Sequence, residues 1–173
     1  MVKYSCSTSK KMFKLISLAL IGMGVSATFC SSALAIDEMY HGNFCAADQD
    51  HINKIERSQW GVDNTSSSAT AVVHCPFNVP YVGNLKISSV WVTVYDRNLS
   101  EDVSCTLMIV GVDGNTKWSN TQSTSGIQSA HQFLGFQPPN SNYLGTLNMS
   151  CSIPPSTEAG VSHITMYRII RNP

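Results

Sequence analysis

The chain has 173 residues, 43% of them hydrophobic and 13% charged, and its eleven basic and eleven acidic side chains give a formal net charge of zero. This length is enough for one globular domain with its own core. Lys and Arg nowhere cluster with interleaved aromatic residues, which argues against nucleic acid as a partner.

The N-terminal 35 residues have the pattern of an export signal. Lysines at positions 10, 11 and 14 precede a nearly apolar run over 15–25, and small residues follow at 33–35, where signal peptidase cleaves. The run is too short to cross a membrane, which takes about 20 residues. We therefore expect a signal peptide over 1–35, and a single secreted or periplasmic domain over 36–173 with no membrane span. That domain has seven basic and eleven acidic residues, a net charge of −4.

Apolar residues alternate with polar ones over most of the mature chain, which is the period of strands with one buried face. A short helical segment of at most two turns is expected over 48–57, where only two residues are apolar. Predicted strands cover 70–75, 85–95, 103–109, 117–121, 129–136, 143–153 and 161–170, with a less certain one over 55–62.

Two of these strands place a cysteine on the inward face. Cys105 shares its face with Val103, Leu107 and Ile109, and Cys151 shares its face with Tyr143, Leu147, Met149 and Ile153. Asp113-Gly114 provides a tight hairpin turn, because both residue types tolerate positive φ angles. We predict an all-β fold, an antiparallel two-sheet β-sandwich of either jelly-roll or immunoglobulin-like connection.

Removal of the signal peptide leaves four cysteines, which in an oxidising compartment form disulfides. Strand phase favours pairing Cys45 with Cys75 and Cys105 with Cys151. Redox and zinc sites need short cysteine spacings, whereas neighbours here are 30 or more residues apart. A structural role is therefore expected, with no cofactor.

A loop after the 85–95 strand carries oxygen-bearing side chains at every second position: Asp96, Asn98, Ser100 and Asp102. The first three match the opening of a calcium loop, but Glu101 replaces the required Gly and Leu107 the bidentate Glu. A solvated hairpin loop in which Asp96 and Asn98 cap backbone groups is favoured. Calcium binding is kept as the alternative.

Aromatic residues give the best indication of binding. Trp60, Trp91, Tyr95 and Trp118 are candidates for a flat platform on which sugar rings stack. The alternative is that they fill the core. Trp91 and Tyr95 lie opposite Val90, Val92 and Val94 on one strand, which is thus apolar on both faces, and burial of both is favoured there.

Catalytic signatures are missing from the sequence. Histidines 41, 51, 74, 131 and 163 have no spacing of a known metal or catalytic site, and His74 and His163 lie opposite the apolar face of their strands. No nucleophile elbow, H-E-x-x-H pair or phosphate-binding glycine loop occurs either.

Three phrases resemble a group of small secreted bacterial proteins of uncharacterised function, and the likeness spans most of the mature domain. They are Trp60-Gly61-Val62-Asp63-Asn64-Thr65, Val92-Thr93-Val94-Tyr95-Asp96-Arg97-Asn98 and Cys151-Ser152-Ile153-Pro154-Pro155. The resemblance implies export, β structure and comparably placed cysteines, but no activity or ligand.

A non-catalytic secreted binding domain for a surface glycan or a partner protein is the function that the sequence favours. A secreted hydrolase or metal-dependent enzyme, with a site assembled from dispersed His, Asp and Glu, is the first alternative. An envelope structural protein, an inhibitor or a toxin is the second. The oligomeric state is not encoded in any pattern of the sequence.

Overall fold

Two antiparallel sheets make up the protein in the computed structural model, which describes residues 36–81, 87–126, 129–139 and 144–171. The predicted signal peptide over 1–35 lies outside the described residues. So do positions 85, 86 and 143 of the predicted strands.

Strands are numbered β1 to β11 in chain order, and two short 3-10 helices occupy Gly42–Phe44 and Gln49–Lys54. The six-stranded sheet contains β1 (Ile36–His41), β3 (Ile55–Ser58), β4 (Gly61–Asn64), β6 (Ile87–Tyr95), β9 (Gln132–Phe136) and β11 (His163–Arg171). The five-stranded sheet contains β2 (Ala46–Ala47), β5 (Ala71–Tyr81), β7 (Ser104–Gly111), β8 (Thr116–Ser123) and β10 (Gly145–Ile153).

Strand order identifies the connection. The order is β3-β4-β11-β6-β9 in one sheet, with β1 also paired to β11, and β2-β5-β10-β7-β8 in the other. From β4 onward the chain changes sheet at every connection except the β7–β8 hairpin, whose turn contains Gly114 at φ 77°. The last eight strands thus form a jelly roll, which decides between the two predicted sandwich types.

The core lies between the sheets and confirms the predicted inward faces. Leu107, Ile109, Leu147 and Met149 are all buried, as are their neighbours on the same strand faces. Cys105 faces Cys151 directly in the β7–β10 ladder. The two are joined by a disulfide, and a second disulfide joins Cys45 to Cys75, as the strand phases indicated.

An aromatic cluster closes one end of the core. Tyr167 is fully buried, stacks on Tyr40 with ring centroids 5.1 Å apart and meets Phe77 edge-on at 5.2 Å. Its hydroxyl donates to the carbonyl oxygen of Pro76 at 2.8 Å, which ties β11 to β5 across the two sheets. Burial, and secondarily the neighbouring Tyr40, raises the pKa of Tyr167 well above its usual range.

The N-terminal region departs from the sequence prediction. No strand is predicted before Cys45, whereas in the structure β1 pairs with β11 from Ile36 to His41. The uncertain strand over 55–62 is a hairpin, β3 and β4, with its turn at Gln59 and Trp60. The predicted helical segment is the 3-10 helix Gln49–Lys54. Among the described residues, no helix is long and apolar enough to span a membrane.

Candidate functional site: an aromatic cleft on the six-stranded sheet

Strand β6 separates core residues from surface residues by simple alternation. Val90, Val92 and Val94 are fully buried between the sheets, so Trp91 and Tyr95 project from the outer face of the six-stranded sheet. Both aromatic residues are only partly buried there. The expected burial of this second face is therefore wrong, because the outer face is open to solvent.

A cleft of about 400 Å³ on this face has mixed aromatic and polar walls, and it is called the aromatic cleft below. It is lined by Trp60, Tyr95, Ser129, His131 and His163. The ring centroid of Tyr95 lies 5.3 Å from that of His131 and 5.2 Å from that of His163. The histidine centroids are 5.9 Å apart. The rings of Tyr95 on β6, His163 on β11 and His131 just before β9 are therefore mutual neighbours.

The register of the sheet explains why these side chains meet. His163 is paired with Tyr95 across the β11–β6 ladder, and with Asp63 across the β11–β4 ladder. Directly paired residues on one face of an antiparallel sheet have their side chains about 5 Å apart. The tilted Tyr95–His163 contact is therefore a consequence of strand pairing.

Trp60 is held at the open side of the cleft by the β3–β4 turn. Its indole is 62% exposed, and its backbone N–H donates to the Ser58 hydroxyl at 3.1 Å. Gly61 follows with φ 140°, where a side chain is strained, and a Cβ would lie 1.9 Å from the carbonyl oxygen of Ile164. The turn can approach β11 only because this residue is glycine.

His163 is the most perturbed titratable group of the cleft. Burial lowers its pKa, and the neighbouring His131 lowers it further. Asp63, whose Oδ1 lies 3.5 Å from Nδ1, and a hydrogen bond with the backbone of Val161 oppose this shift. The net lowering of the pKa favours the neutral imidazole near neutral pH.

Arg97 does not line the cleft itself, but it contacts the Tyr95 side chain, which does. Its guanidinium carbon is 5.4 Å from the centroid of the Tyr95 ring, and Nη1 donates to the Tyr95 hydroxyl at 3.3 Å. Nε donates to the carbonyl oxygen of Ala159 at 2.7 Å. A positive charge is thereby fixed beside the aromatic rings.

The aromatic surface continues along the same sheet face beyond the cleft. Trp91 rests on Gly135, where a Cβ would lie 2.8 Å from the indole ring, and its Nε1 donates to the Ser89 hydroxyl at 3.0 Å. Phe133, on the neighbouring β9, is 66% exposed. This extension gives the face room for more than one ring of a bound ligand.

The four aromatic residues proposed from the sequence are not all in one place. Trp60 and Tyr95 line the cleft, and Trp91 lies on the same sheet face outside it. Trp118 is on β8 of the other sheet, where it packs against the core. Sequence reasoning missed His131 and His163 as site residues, since only sheet register brings them to Tyr95.

The predicted calcium loop is held mainly by its own backbone. Asp96 is fully buried, and its carboxylate accepts hydrogen bonds from the N–H groups of Asn98 (3.0 Å) and Val103 (3.2 Å) and from the hydroxyls of Ser162 and Thr124. Capping by Asp96 is as expected, and Leu99 to Asp102 are exposed as predicted, but Asp96 and Asn98 are buried. The predicted hairpin is wrong, because β6 and β7 lie in different sheets.

The other oxygen atoms of this loop also accept backbone N–H groups. Asn98 Oδ1 accepts from Ser100 and Glu101, and Asp102 Oδ1 accepts from Gly126. In the part of the chain that the structure describes, no three His, Cys, Asp or Glu side chains are grouped to hold a metal. Calcium binding at this loop stays a prediction, which calorimetry with calcium tests.

A second pocket, of about 420 Å³, lies at the aromatic cluster that closes one end of the core. It is lined by Tyr40, Phe44, Pro76, Phe77 and Tyr167. Its volume is close to that of the aromatic cleft, but its chemistry differs. The hydroxyl of Tyr40 donates to Glu38 and that of Tyr167 donates to Pro76. The aromatic cleft adds imidazoles, a hydroxyl and a nearby guanidinium to its rings, so it is the better candidate for a polar ligand.

Comparison with known proteins supports the fold. No family model matches the chain, and no curated protein sequence matches it. The chain is similar in structure to a low-affinity xylan-binding module, CBM86, from the gut symbiont Roseburia intestinalis, with a TM-score of 0.50, 12% identity, and coverage of 79% of this chain and 96% of that one. It is also similar to the xylan-binding module CBM15, with a TM-score of 0.52, 12% identity, and coverage of 80% of this chain and 97% of that one. At this identity the likeness concerns the β-sandwich fold.

Proposed function

We propose that this protein is a non-catalytic glycan-binding domain and that the aromatic cleft is its binding site. The observation that carries the proposal is the meeting of Tyr95, His131 and His163 beside the exposed indole of Trp60. Sugar rings present apolar C–H faces and hydroxyl edges, so they need aromatic surface and hydrogen-bonding groups in one place. The cleft provides both.

The fold is consistent with this role. Two structural neighbours are described as xylan-binding modules, and nearly all of each neighbour's own length is matched by this chain. Because sandwiches host unrelated functions, the residues of the cleft and not the fold must carry the argument. Xylan is therefore a first ligand to try, together with other β-linked polysaccharides.

Export is part of the proposal. Two disulfides close the described domain, and such bonds persist in oxidising compartments outside the cytosol. We propose a periplasmic or extracellular location, reached through the signal peptide predicted over 1–35. A protein exported there meets surface glycans directly, and mass determination of the exported protein tests cleavage before Ile36.

Binding is tested on a glycan array and quantified by calorimetry with the best ligand. Trp60→Ala is expected to weaken binding at least tenfold, because loss of a stacking aromatic removes apolar contact with the sugar. Tyr95→Ala is expected to do the same, but it also removes a partly buried ring, so its unfolding temperature is measured alongside.

Phe44→Ala is the matched control. Phe44 is 64% exposed, close to the 62% of Trp60, but it lines the pocket beside Tyr40 and not the cleft. Unchanged affinity in this variant, with loss in Trp60→Ala, supports the cleft as the site. Equal loss in both variants, or no glycan binding by the wild type, contradicts the proposal.

A further inference from the structure

We infer that the aromatic cleft prefers saccharides that carry a carboxylate, and that Arg97 binds this carboxylate beside Tyr95. The inference rests on the proposed glycan-binding function and names the class of ligand. It rests on the Arg97 guanidinium, which is held in a fixed orientation beside Tyr95 and has N–H groups that can bind a ligand.

Arg97 is fixed by both its backbone and its side chain. Its N–H donates to the Ser162 hydroxyl at 2.8 Å, and its carbonyl oxygen accepts from the Thr157 hydroxyl at 2.9 Å. Nε and Nη1 donate to Ala159 and Tyr95. A guanidinium has five N–H donors. These contacts fix the orientation of the side chain. Within the described part of the chain, Nη2 has no hydrogen-bond partner, so its N–H groups can bind a ligand.

Two other arginines of the described residues already have a carboxylate partner: Arg168 lies 3.7 Å from Asp37, and Arg171 contacts Glu38. Arg57 has no carboxylate partner in the part of the chain that the structure describes, but it donates to the backbone carbonyls of Asn43 and Cys45, and neither of these residues lines the cleft. Arg97 makes no ion pair with any carboxylate of the described residues. A partly buried guanidinium without a carboxylate has an unmet preference for one, because bidentate pairing with a carboxylate is its strongest interaction.

Nearby acidic residues do not meet this preference. Asp96 precedes Arg97 in sequence but points inward, where its carboxylate is hydrogen-bonded to backbone and hydroxyl groups. Asp63 lies beside His163 on the other side of the cleft. Glu158 is exposed on the turn that contains Ala159 and makes no ion pair with Arg97. Among the residues that the structure describes, no carboxylate lies within 4 Å of the Arg97 guanidinium to compete with one from a ligand.

Arg97 is also placed where a sugar substituent would reach it. Its guanidinium carbon lies 5.4 Å from the centroid of the Tyr95 ring, and Tyr95 is one of the residues that line the cleft. A saccharide seated against the aromatic rings would bring its exocyclic groups near this guanidinium. Because the mature domain has a net charge of −4, long-range attraction does not favour acidic ligands, and any preference must come from this local contact.

The test is a glycan array in which each backbone is printed in a neutral and an acidic form. Suitable pairs are xylan with glucuronoxylan, and methyl-esterified with de-esterified homogalacturonan. The wild type is expected to bind the acidic member of its preferred pair about tenfold more tightly, which is the worth of one charge-assisted hydrogen bond. Arg97→Gln, which keeps donors and removes the charge, is expected to bring the two affinities together.

Arg168→Ala is the control, since it removes a positive charge from the same sheet face at an arginine already paired with Asp37. Its acidic preference is expected to equal that of the wild type. Equal affinity of the wild type for both members, with binding that Trp60→Ala abolishes, overturns the inference and leaves the proposed function standing. Absence of binding to every glycan overturns the proposed function itself. An acidic preference that Arg97→Gln retains also overturns the inference.

Discussion

The two outer faces of the sandwich cover the same core and yet differ in their aromatic content. On the five-stranded sheet, the outward residues of β10 are small and polar: Thr146, Asn148, Ser150 and Ser152. On the six-stranded sheet, β6 presents Trp91 and Tyr95, and β11 presents His163 and Met166. Both sheets bury aliphatic residues inward.

This difference shows that core packing places few demands on the outer faces. Alternation commits one side of each strand to the core and leaves the other side open to selection for function. The outer residues of β10 need only be soluble, as Ser, Thr and Asn are. Partly exposed aromatic and imidazole rings on the opposite sheet are not needed for solubility, so a ligand accounts for them better than the core does.

The most severe way to break the comparison is to remove the scaffold that both faces share. Cys105→Ala together with Cys151→Ala opens a disulfide that closes a separation of 46 residues, and the expected cost is about 4 kcal/mol of unfolding free energy. Urea denaturation measures this cost. This disulfide lies in the five-stranded sheet. Even so, we expect glycan binding on the six-stranded sheet to be lost at the denaturant concentration at which the domain unfolds. Binding that outlasts the unfolding transition would show that the faces are independent.

A milder change disturbs only the aromatic face. Gly135→Ala places a methyl group 2.8 Å from the Trp91 ring, so the indole must shift. Overpacking of this kind is expected to cost about 1–2 kcal/mol, with a change in tryptophan fluorescence. Thermal unfolding and emission spectra check the result. Unchanged spectra and stability would mean that Trp91 is not held against this glycine.

Acidification is expected to affect the aromatic face through His163. Its pKa is lowered in the folded protein by burial, against about 6.5 in an unfolded chain. The unfolded chain therefore binds a proton more readily, so this contribution to stability is present above about pH 6.5 and is lost as pH falls through the folded pKa. Asp63, His131 and Tyr95 are the titratable groups that face it.

Unfolding temperatures measured from pH 7 to pH 5 test this expectation. Wild type should lose stability over the interval, and His163→Gln should lose less. His74→Gln is the matched control, because His74 lies exposed on the outer face of the five-stranded sheet and His163 remains intact in this variant. A steeper fall in His163→Gln than in the wild type would contradict the assignment.

The smallest effect on stability is expected on the outer face of the five-stranded sheet. Thr106 and Thr121 share an exposed hydrogen bond at 2.8 Å across β7 and β8. Thr106→Val keeps the shape and β propensity and removes the bond, which should cost no more than about 0.5–1 kcal/mol. Glycan affinity should be unchanged in calorimetry. A loss of affinity comparable to that of Trp60→Ala would move the binding site to this face.

The sequence predicted the scaffold well because its signals are local. Alternation in β7 and β10 placed Cys105 and Cys151 on inward faces, and the same phase argument gave both disulfide pairings. Asp113-Gly114 marked the β7–β8 hairpin, because a positive φ is a property of the residues themselves. Strand β1 was missed, since its short pattern becomes a strand only through pairing with β11.

The site was only partly predictable, because its residues come together through contacts between distant parts of the chain. Trp60 and Tyr95 were recognisable as aromatic candidates, but their sequence separation gave no sign that they share a cleft. Trp118 carried an equal signal and lies on the other sheet against the core. The oxygen-rich loop also resembled a binding site in the sequence. In the structure, however, the Asp96 carboxylate is buried and accepts hydrogen bonds from the chain's own N–H and hydroxyl groups.

By itself, then, the sequence determined the strand periods, the inward faces, the disulfide pairing and the sandwich class, all of which follow from residues near one another in the chain. Only the tertiary structure decided the jelly-roll connection and the register that sets His163 against Tyr95, with His131 and Trp60 beside them. Register depends on how whole strands fit one core, and a one-residue slip of β11 would turn His163 away from Tyr95 to the other face of the sheet.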